Sequence, residues 1–309
     1  ADHDVLSYTA LTPPITALSN LQTKKKETQA RQLRQQSAQT PFDLQNGPIY
    51  RIHILRLDKT HHQLLFTIHH IAFDAWYTNL FLREMIAHYL HQTTGLLPPL
   101  PENDVQYADF TLWQQARLTP EVLDEQLAFW RDHLAHAPTS LALPTDKPRP
   151  QTHTSNGDLH EFTLPPELAK QVKHWTQSNG ATLFMSLLTA FYGLLYRYSN
   201  QDDIVIGTPI ANRDHPDLKN IIGFFLNTVA LRAQLEDTMT WQELLQQVRS
   251  TMIAAQDHQE FPFENLVQAL LPDRDPSRHP LFQVMFVLQN QGDAGQLPGN
   301  LSIQLNQLG

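Results

Sequence analysis

The alternation of apolar and polar residues near the start of the chain predicts a β-hairpin. Residues 48–57 and 63–69 are rich in β-branched and other large apolar side chains, and a short polar stretch at 58–61 separates them. A Gln-Asn-Gly turn signal at 45–47 precedes the first run. The two runs are therefore predicted to pair as neighbouring strands.

The apolar spacing then changes from that of a strand to that of a helix. Five apolar residues recur at i, i+3, i+4, i+7 and i+8, which is the period of one helix face packed on a core: Leu82, Met85, Ile86, Tyr89 and Leu90. We therefore expect this face, including Met85 and Tyr89, to lie in the core. The junction between the second strand and this helix falls near residue 70, where a side chain can project from a rigid scaffold.

Further along the chain, helical periods alternate with single strands. Helices are predicted at 166–175, 182–198 and 241–252, a strand at 203–210 and a buried strand at 282–288. Helices mixed with well-separated strands indicate an α/β or α+β fold. The segment at 144–157, rich in proline and polar residues, is the strongest linker signal, so two lobes are predicted at 1–150 and 151–309.

Composition excludes several classes of protein. The chain has 309 residues, a formal net charge of −9 and no cysteine, which rules out disulfides, thiol nucleophiles and Cys-ligated zinc. A nucleic-acid binder would present a basic patch, and Lys24-Lys25-Lys26 in a Gln-rich stretch is interpreted as a solvated helix face. No apolar run approaches a membrane span, and no secretory signal is visible at the start. We expect a cytoplasmic protein that binds neither membrane nor nucleic acid.

Candidate chemistry is concentrated where the hairpin ends. His69 and His70 follow the second strand, and Asp74 comes four residues after His70. A free imidazole titrates near pH 6.5, so a positioned one can accept a proton from an amine or hydroxyl near neutral pH. The alternative is a buried histidine pair with a turn aspartate. A metal cluster with His61 and His62 is not expected, because that pair lies in the predicted turn.

The string His-His-Ile-Ala-Phe-Asp-Ala at 69–75 resembles the His-His-x-x-x-Asp-Gly motif of nonribosomal peptide synthetase condensation domains. A Pro-Phe-Asp-Leu segment at 41–44 begins the similar region. Six further segments match family motifs in the family's order: Val-Gln-Tyr-Ala-Asp-Phe with Trp113 at 105–113, Gly-Thr-Pro-Ile-Ala-Asn-Arg at 207–213, Ile-Gly-Phe-Phe-Leu-Asn-Thr at 222–228, His258 with Pro-Phe-Glu at 262–264, Arg-Asp-x-Ser-Arg at 274–278, and Pro-Leu-Phe-Gln at 280–283.

This resemblance implies two chloramphenicol-acetyltransferase-like lobes in a V-shaped pseudo-dimer. It also implies an acyltransferase in which the amine of an acceptor on one carrier protein attacks the thioester of a donor on another. Donor and acceptor would arrive on the 4'-phosphopantetheine of peptidyl carrier proteins, beside an adenylation domain, with no cofactor or metal bound directly. The family's opening motifs have no counterpart before Pro41 and the chain ends soon after the 282–288 segment, so both lobes are expected to be incomplete.

The resemblance also assigns candidate roles to individual residues. His70 would be the catalytic group, accepting the amine's proton or only orienting the amine, and His69 would be structural. Asp74 would either orient His70 or form a buried ion pair with Arg213. Ala75 stands where the family usually has glycine, which adds a methyl group and disfavours positive φ. Asn227 and Thr228 would line the cleft or form hydrogen bonds at a strand end.

Two alternative functions stay open beside amide formation. An epimerisation domain shares the His-His-x-x-x-Asp core, but the segments at 262–264 and 277–278 resemble condensation domains more closely. A non-catalytic relative that recruits a partner protein is the other, and Ala75 is compatible with it. Heterocyclising relatives are disfavoured, because they carry an Asp-rich motif in place of the two histidines.

Overall fold

A computed structural model describes residues 12–74, 78–95, 103–151, 157–213, 215–271 and 275–289. The predicted hairpin is confirmed: strands β2 (Tyr50–Arg56) and β3 (His62–Ile68) pair antiparallel over their full length. In the turn between them, the Asp58 carboxylate accepts hydrogen bonds from the backbone N–H groups of Thr60 and His61, at 2.9 and 2.7 Å. This local side-chain bonding fixes the register that delivers His69 at the end of β3.

A short strand and a polar helix complete the layer around this hairpin. Strand β1 (Ile15–Ala17) pairs parallel to β2, and helix α1 (Thr23–Gln39) packs its single buried residue, Ala30, toward the sheet. Lys24 and Lys25 are exposed, as predicted for a solvated helix face, whereas Lys26 is half-buried and its Nζ donates to the carbonyl oxygen of Leu57 at 2.8 Å. The fully buried side chains of this layer form one small apolar cluster: Leu18, Ala30, Leu55 and Leu65.

Helix α2 (Thr78–Thr94) follows the histidine pair, as the apolar period predicted. Leu90 is buried and Met85 is half-buried, but the prediction that Tyr89 lies in the core is wrong, because Tyr89 is 54% exposed. A tyrosine carries a polar hydroxyl, so exposing its ring end costs less than exposing a purely apolar side chain of the same size.

A second, two-stranded sheet lies in the later part of the chain. Strands β4 (Asp203–Ile210) and β5 (Asn227–Gln234) pair antiparallel over eight residues. Six helices belong to the same part of the chain: α3 (Tyr107–Arg117), α4 (Pro120–His133), α5 (Pro166–Ser178), α6 (Leu183–Ser199), α7 (Trp241–Asp257) and α8 (Phe263–Leu270). The predicted helices and the strand at 203–210 are thus confirmed. Their buried apolar faces form one large cluster that includes Trp130, Leu188 and Leu231.

The 282–288 segment differs from its prediction as a buried strand. It makes one parallel bridge to β4, between Gly207 and Met285, and only Phe282 among its large side chains is fully buried. Met285 and Val287 are about half exposed. The close approach requires the glycine, since a Cβ at Gly207 would lie 2.3 Å from the Phe282 ring.

The described residues cluster into two compact units. One comprises the residues up to Ile86 together with Ile222–Phe224, and the other comprises Ala87–Ile221 and the residues from Phe225 onward. Trp130, which precedes the proline-rich linker, is buried in the core of the second unit. The predicted lobe boundary at 150/151 stays a prediction. Within the described residues, no helix is both long and apolar enough to cross a membrane.

Candidate functional site

The chain leaves β3 through a tight turn that holds both histidines. His69 is extended (φ −71°, ψ 139°), and its Nδ1 accepts a hydrogen bond from the backbone N–H of Ile71 at 3.1 Å. This bond caps a single-turn 3₁₀ helix, His70–Ala72. The strand end therefore fixes His69, and the cap on the short helix fixes the backbone of His70.

His70 is exposed, and one of its ring nitrogens is committed to the backbone. Its Nδ1 lies 2.8 Å from the carbonyl oxygen of Phe73. A carbonyl oxygen can only accept, so Nδ1 must carry the proton in this contact. In the neutral imidazole the other nitrogen, Nε2, then holds the basic lone pair. The geometry thus selects the tautomer that a proton acceptor needs.

His69 is half-buried between packed groups. The ring of Phe42 meets it edge-on, with centroids 5.8 Å apart at 86°. Its Nδ1 is already occupied by the cap of the 3₁₀ helix. The structural role of His69 stays a prediction, and these contacts support it.

Asp74 and Arg213 are both buried, and they belong to different compact units. Asp74 has no exposed surface. Arg213 donates through Nη1 to the carbonyl oxygens of Leu218 and Ile221, and its guanidinium lies 3.7 Å above the Phe225 ring. The pairing of Asp74 with Arg213 stays a prediction. Ala75 lies outside the described residues.

Asn227 serves the architecture at the start of β5. Its Nδ2 donates to the carbonyl oxygens of Gln259 and Phe261, both at 2.7 Å, and its Oδ1 accepts from the backbone N–H of Phe263 at 3.1 Å. These contacts use both amide N–H groups and favour the strand-end alternative over cleft lining. Thr228, the next residue, is half-buried.

Phe224 is a neighbour of His70 that sequence reasoning did not single out. Its ring meets the imidazole edge-on, with centroids 5.2 Å apart at 90°. The neighbouring Phe225 is buried instead, against Tyr107 and Phe110. The sequence gives no signal that separates the two, because each is an apolar residue in the same motif.

The remaining motif residues hold the second unit together. Asp109 closes a capping box at the start of α3, accepting from the backbone N–H of Gln106 at 2.8 Å. His258 stacks on Phe129 with ring centroids 3.7 Å apart. Gln283 accepts from the backbone N–H of Leu141 at 2.6 Å, which ties the 282–288 segment to the chain before the linker.

Metal binding requires several donors converging on one point. No group of three or more histidine, aspartate or glutamate side chains comes close enough to hold an ion in the described parts of the chain.

Comparison with known proteins identifies the family. A family model described as Condensation domain matches residues 5–306. The chain belongs to the condensation domain family. A linear gramicidin synthase protein of Brevibacillus parabrevis is 46% identical over 273 residues, which is 88% of this chain and 5% of that protein. Phosphinothricin tripeptide synthetase PhsC of Streptomyces viridochromogenes is 42% identical over 293 residues, 93% of this chain and 27% of that protein.

Solved structures of condensation domains and their relatives share the fold. A four-domain nonribosomal peptide synthetase bound to AMP and glycine superposes with a TM-score of 0.78 at 29% identity, covering 92% of this chain and 21% of that one. The X-domain from teicoplanin biosynthesis superposes with a TM-score of 0.77 at 28% identity, covering 89% of this chain and 60% of that one. These likenesses confirm the predicted α/β condensation fold. The condensation domain described here spans a small part of each synthetase that it matches.

Proposed function

We propose that this condensation domain forms an amide bond between two carrier-bound substrates. The observation that carries the proposal is the hydrogen bond between His70 Nδ1 and the Phe73 carbonyl oxygen. It leaves the Nε2 lone pair of an exposed imidazole available to an incoming amine. Family membership and the similarity to peptide synthetases supply the reaction class.

In the proposed reaction, the acceptor's α-amine attacks the carbonyl carbon of the donor thioester. The new C–N bond forms, the C–S bond breaks, and the proton lost by the amine reaches the departing pantetheine thiol, with Nε2 of His70 as acceptor or orienting group. Because the thioester is already activated, alignment and an unprotonated amine supply most of the acceleration. Free α-amines titrate near pH 7.7 to 8.0, so a neutral imidazole is matched to this task.

The proposed partners follow from the reaction. Donor and acceptor peptidyl carrier proteins would deliver their substrates on 4'-phosphopantetheine, and an adenylation domain would load the acceptor carrier. The likeness to a four-domain nonribosomal peptide synthetase supports this arrangement.

The test is a single-turnover assay with two loaded carrier proteins and the protein that carries this chain. We expect His70→Ala to lower the rate of amide formation by about 10²-fold or more, the scale of a positioned acid–base group. His61→Ala is the matched control, because His61 lies in the exposed turn between β2 and β3. Equal rates for folded His70→Ala and wild type would remove His70 from the mechanism.

Partner recruitment is a second candidate, favoured by one structural likeness. The X-domain from teicoplanin biosynthesis was solved in complex with OxyB, and that chain superposes on this one with a TM-score of 0.78 at 28% identity. A wild-type protein that forms no amide from loaded carriers would favour recruitment. Exchange of the substrate's α-proton for deuterium with inversion, and no amide product, would instead identify epimerisation.

A further inference from the structure

Arg51 lies on β2 and reaches the end of the neighbouring helix α1. Its Nη2 donates to the backbone carbonyl oxygens of Ser37 and Thr40 at 2.9 and 2.6 Å, and its Nη1 donates to that of Pro41 at 3.1 Å. Carbonyls in the last turn of a helix have no intrahelical donor and carry partial negative charge. One guanidinium therefore caps α1 and ties the chain that leaves it to the hairpin.

The same guanidinium stacks on an aromatic ring. Arg51 Cζ lies 3.8 Å from the centroid of the Phe42 ring, and Phe42 meets the ring of His69 edge-on. Asp43 closes a turn directly after Phe42, accepting from the backbone N–H groups of Gln45 and Asn46 at 3.0 and 3.1 Å. Phe42 is thus held by the cation on one side and by the turn that follows it.

His69 links the Arg51–Phe42 contact to His70, the catalytic candidate. Its backbone N–H donates to the carbonyl oxygen of Ile49 at 2.8 Å, close to Arg51 on the same chain segment. Its ring nitrogen caps the 3₁₀ helix that begins at His70. Any tilt of the His69 ring would therefore loosen the turn in which His70 Nδ1 meets the Phe73 carbonyl.

We propose that Arg51 is a positioning residue for His70 that acts through Phe42 and His69. This inference rests on the proposed function, because it treats the orientation of His70 as rate-determining. Arginine suits the position better than lysine, because lysine keeps the charge but lacks the planar fork that reaches three carbonyls and the flat face that stacks on Phe42. Arg51 contacts Phe42, and Phe42 contacts His69, so any effect of Arg51 on His70 is indirect.

The kinetic test compares Arg51→Met, Phe42→Leu and the double variant in the single-turnover assay, using the protein that carries this chain. Each single substitution is expected to lower the rate by about tenfold, because a small misplacement of a reacting group is costly. The rate of the double variant should also fall by about tenfold and not by about 100-fold, because both substitutions break the same contact between Arg51 and Phe42. Arg51→Lys should recover part of the rate.

Arg56→Met is the matched control, because Arg56 lies at the far end of the same strand and is exposed. If the rate losses of the two single variants multiply in the double variant, Arg51 does not act through Phe42. If Arg51→Met fails to fold, Phe42→Leu carries the test, because it leaves the cap on α1 in place.

A spectroscopic reading separates positioning from general loss of stability. In the wild type, the ¹⁵N shifts of the His70 ring should report a proton on Nδ1, and in Arg51→Met they should move toward a mixture of the two tautomers. An unchanged tautomer and rate in a folded Arg51→Met variant would overturn the inference. If the wild type forms no amide but the tautomer still shifts, the proposed function fails and the positioning role stands.

Discussion

At the scale of single residues, His133 is a histidine whose ring is packed inside the second unit. Its ring stacks on Phe129 with centroids 5.6 Å apart, and its Nε2 is buried without a hydrogen-bond partner among the described residues. Arg232 donates through Nη1 to the carbonyl oxygen of His133 at 3.0 Å, while its other nitrogens bind the Asp203 carboxylate. Desolvation, with a smaller contribution from the Arg232 charge, lowers the pKa of His133.

This lowered pKa predicts a loss of stability in mild acid. In the unfolded chain His133 takes up a proton near pH 6.5, whereas the folded protein accepts it only at lower pH. The unfolded state then binds more protons, so the free energy of unfolding falls as the pH drops below about 6.5. Urea unfolding between pH 7.5 and 5.5 measures this slope.

His133→Asn should reduce that slope, because the side chain no longer titrates. His174→Asn on the exposed face of α5 is the control and should leave the slope unchanged. A His133→Asn variant with the wild-type slope would show that other groups cause the acid sensitivity.

At the scale of elements, Asn227 joins β5 to the turn between α7 and α8. Asn227→Asp keeps the shape but replaces Nδ2, which donates to the carbonyl oxygens of Gln259 and Phe261, with an oxygen that can only accept. Leaving partly buried carbonyls unpaired costs on the order of 1 to 3 kcal/mol. We expect a loss of about that size in the free energy of unfolding, read from denaturant midpoints.

Asn265→Asp, the same change at an exposed position of α8, is the matched control, with an expected change within about 0.5 kcal/mol. An Asn227→Asp protein with wild-type stability and a raised KM for a carrier-bound substrate would instead support the cleft-lining role.

The contact between β4 and the 282–288 segment depends on a missing side chain at Gly207. An added Cβ would lie 2.3 Å from two atoms of the Phe282 ring, which is far inside van der Waals contact. Gly207→Ala should destabilise the protein by about 1 to 3 kcal/mol, the usual cost of overpacking. Thermal or urea unfolding would measure this loss.

Replacing the Phe282 ring with a smaller side chain tests whether this clash causes the loss of stability. Phe282→Leu in the Gly207→Ala background should recover part of the lost stability, whereas independent effects would simply add. Gly157→Ala is the control, because no atom lies within 4 Å of its added Cβ. Additive losses in the double variant would place the strain elsewhere.

At the scale of the whole molecule, the two compact units differ in how much apolar surface they bury among the described residues. Among the described residues, the buried cluster beneath the first unit's sheet consists of Leu18, Ala30, Leu55 and Leu65. The second buries most of β4 and β5 together with faces of α4, α6, α7 and α8. Since regions with few buried contacts open at lower free-energy cost, their local stabilities should differ.

Hydrogen exchange should resolve this difference. Amides of β4 and β5 are expected to exchange at least about tenfold more slowly than those of β2 and β3, after correction for intrinsic rates. Mass spectrometry of peptides that cover each hairpin provides the measurement. Equal protection in both sheets would mean that the two units unfold together.

Local patterns in the sequence predicted many of the helices and strands. The hairpin, helix α2 and the strand at 203–210 follow from alternation, helical period and turn residues, because these signals act over a few neighbouring residues. Seven short motifs in a fixed order predicted the family, which the matching family model confirmed. The candidate residues His70 and Asp74 came from the same local string.

Only the tertiary structure decided which groups meet across long stretches of chain. Phe224 meets His70 from a motif some 150 residues away, and Asn227 holds a turn more than 30 residues downstream. Tyr89 was assigned to the core by its spacing, although its exposure depends on what packs beside α2. Periodicity specifies which face of an element is apolar, while the partner of each side chain depends on the packing of elements that are distant in sequence.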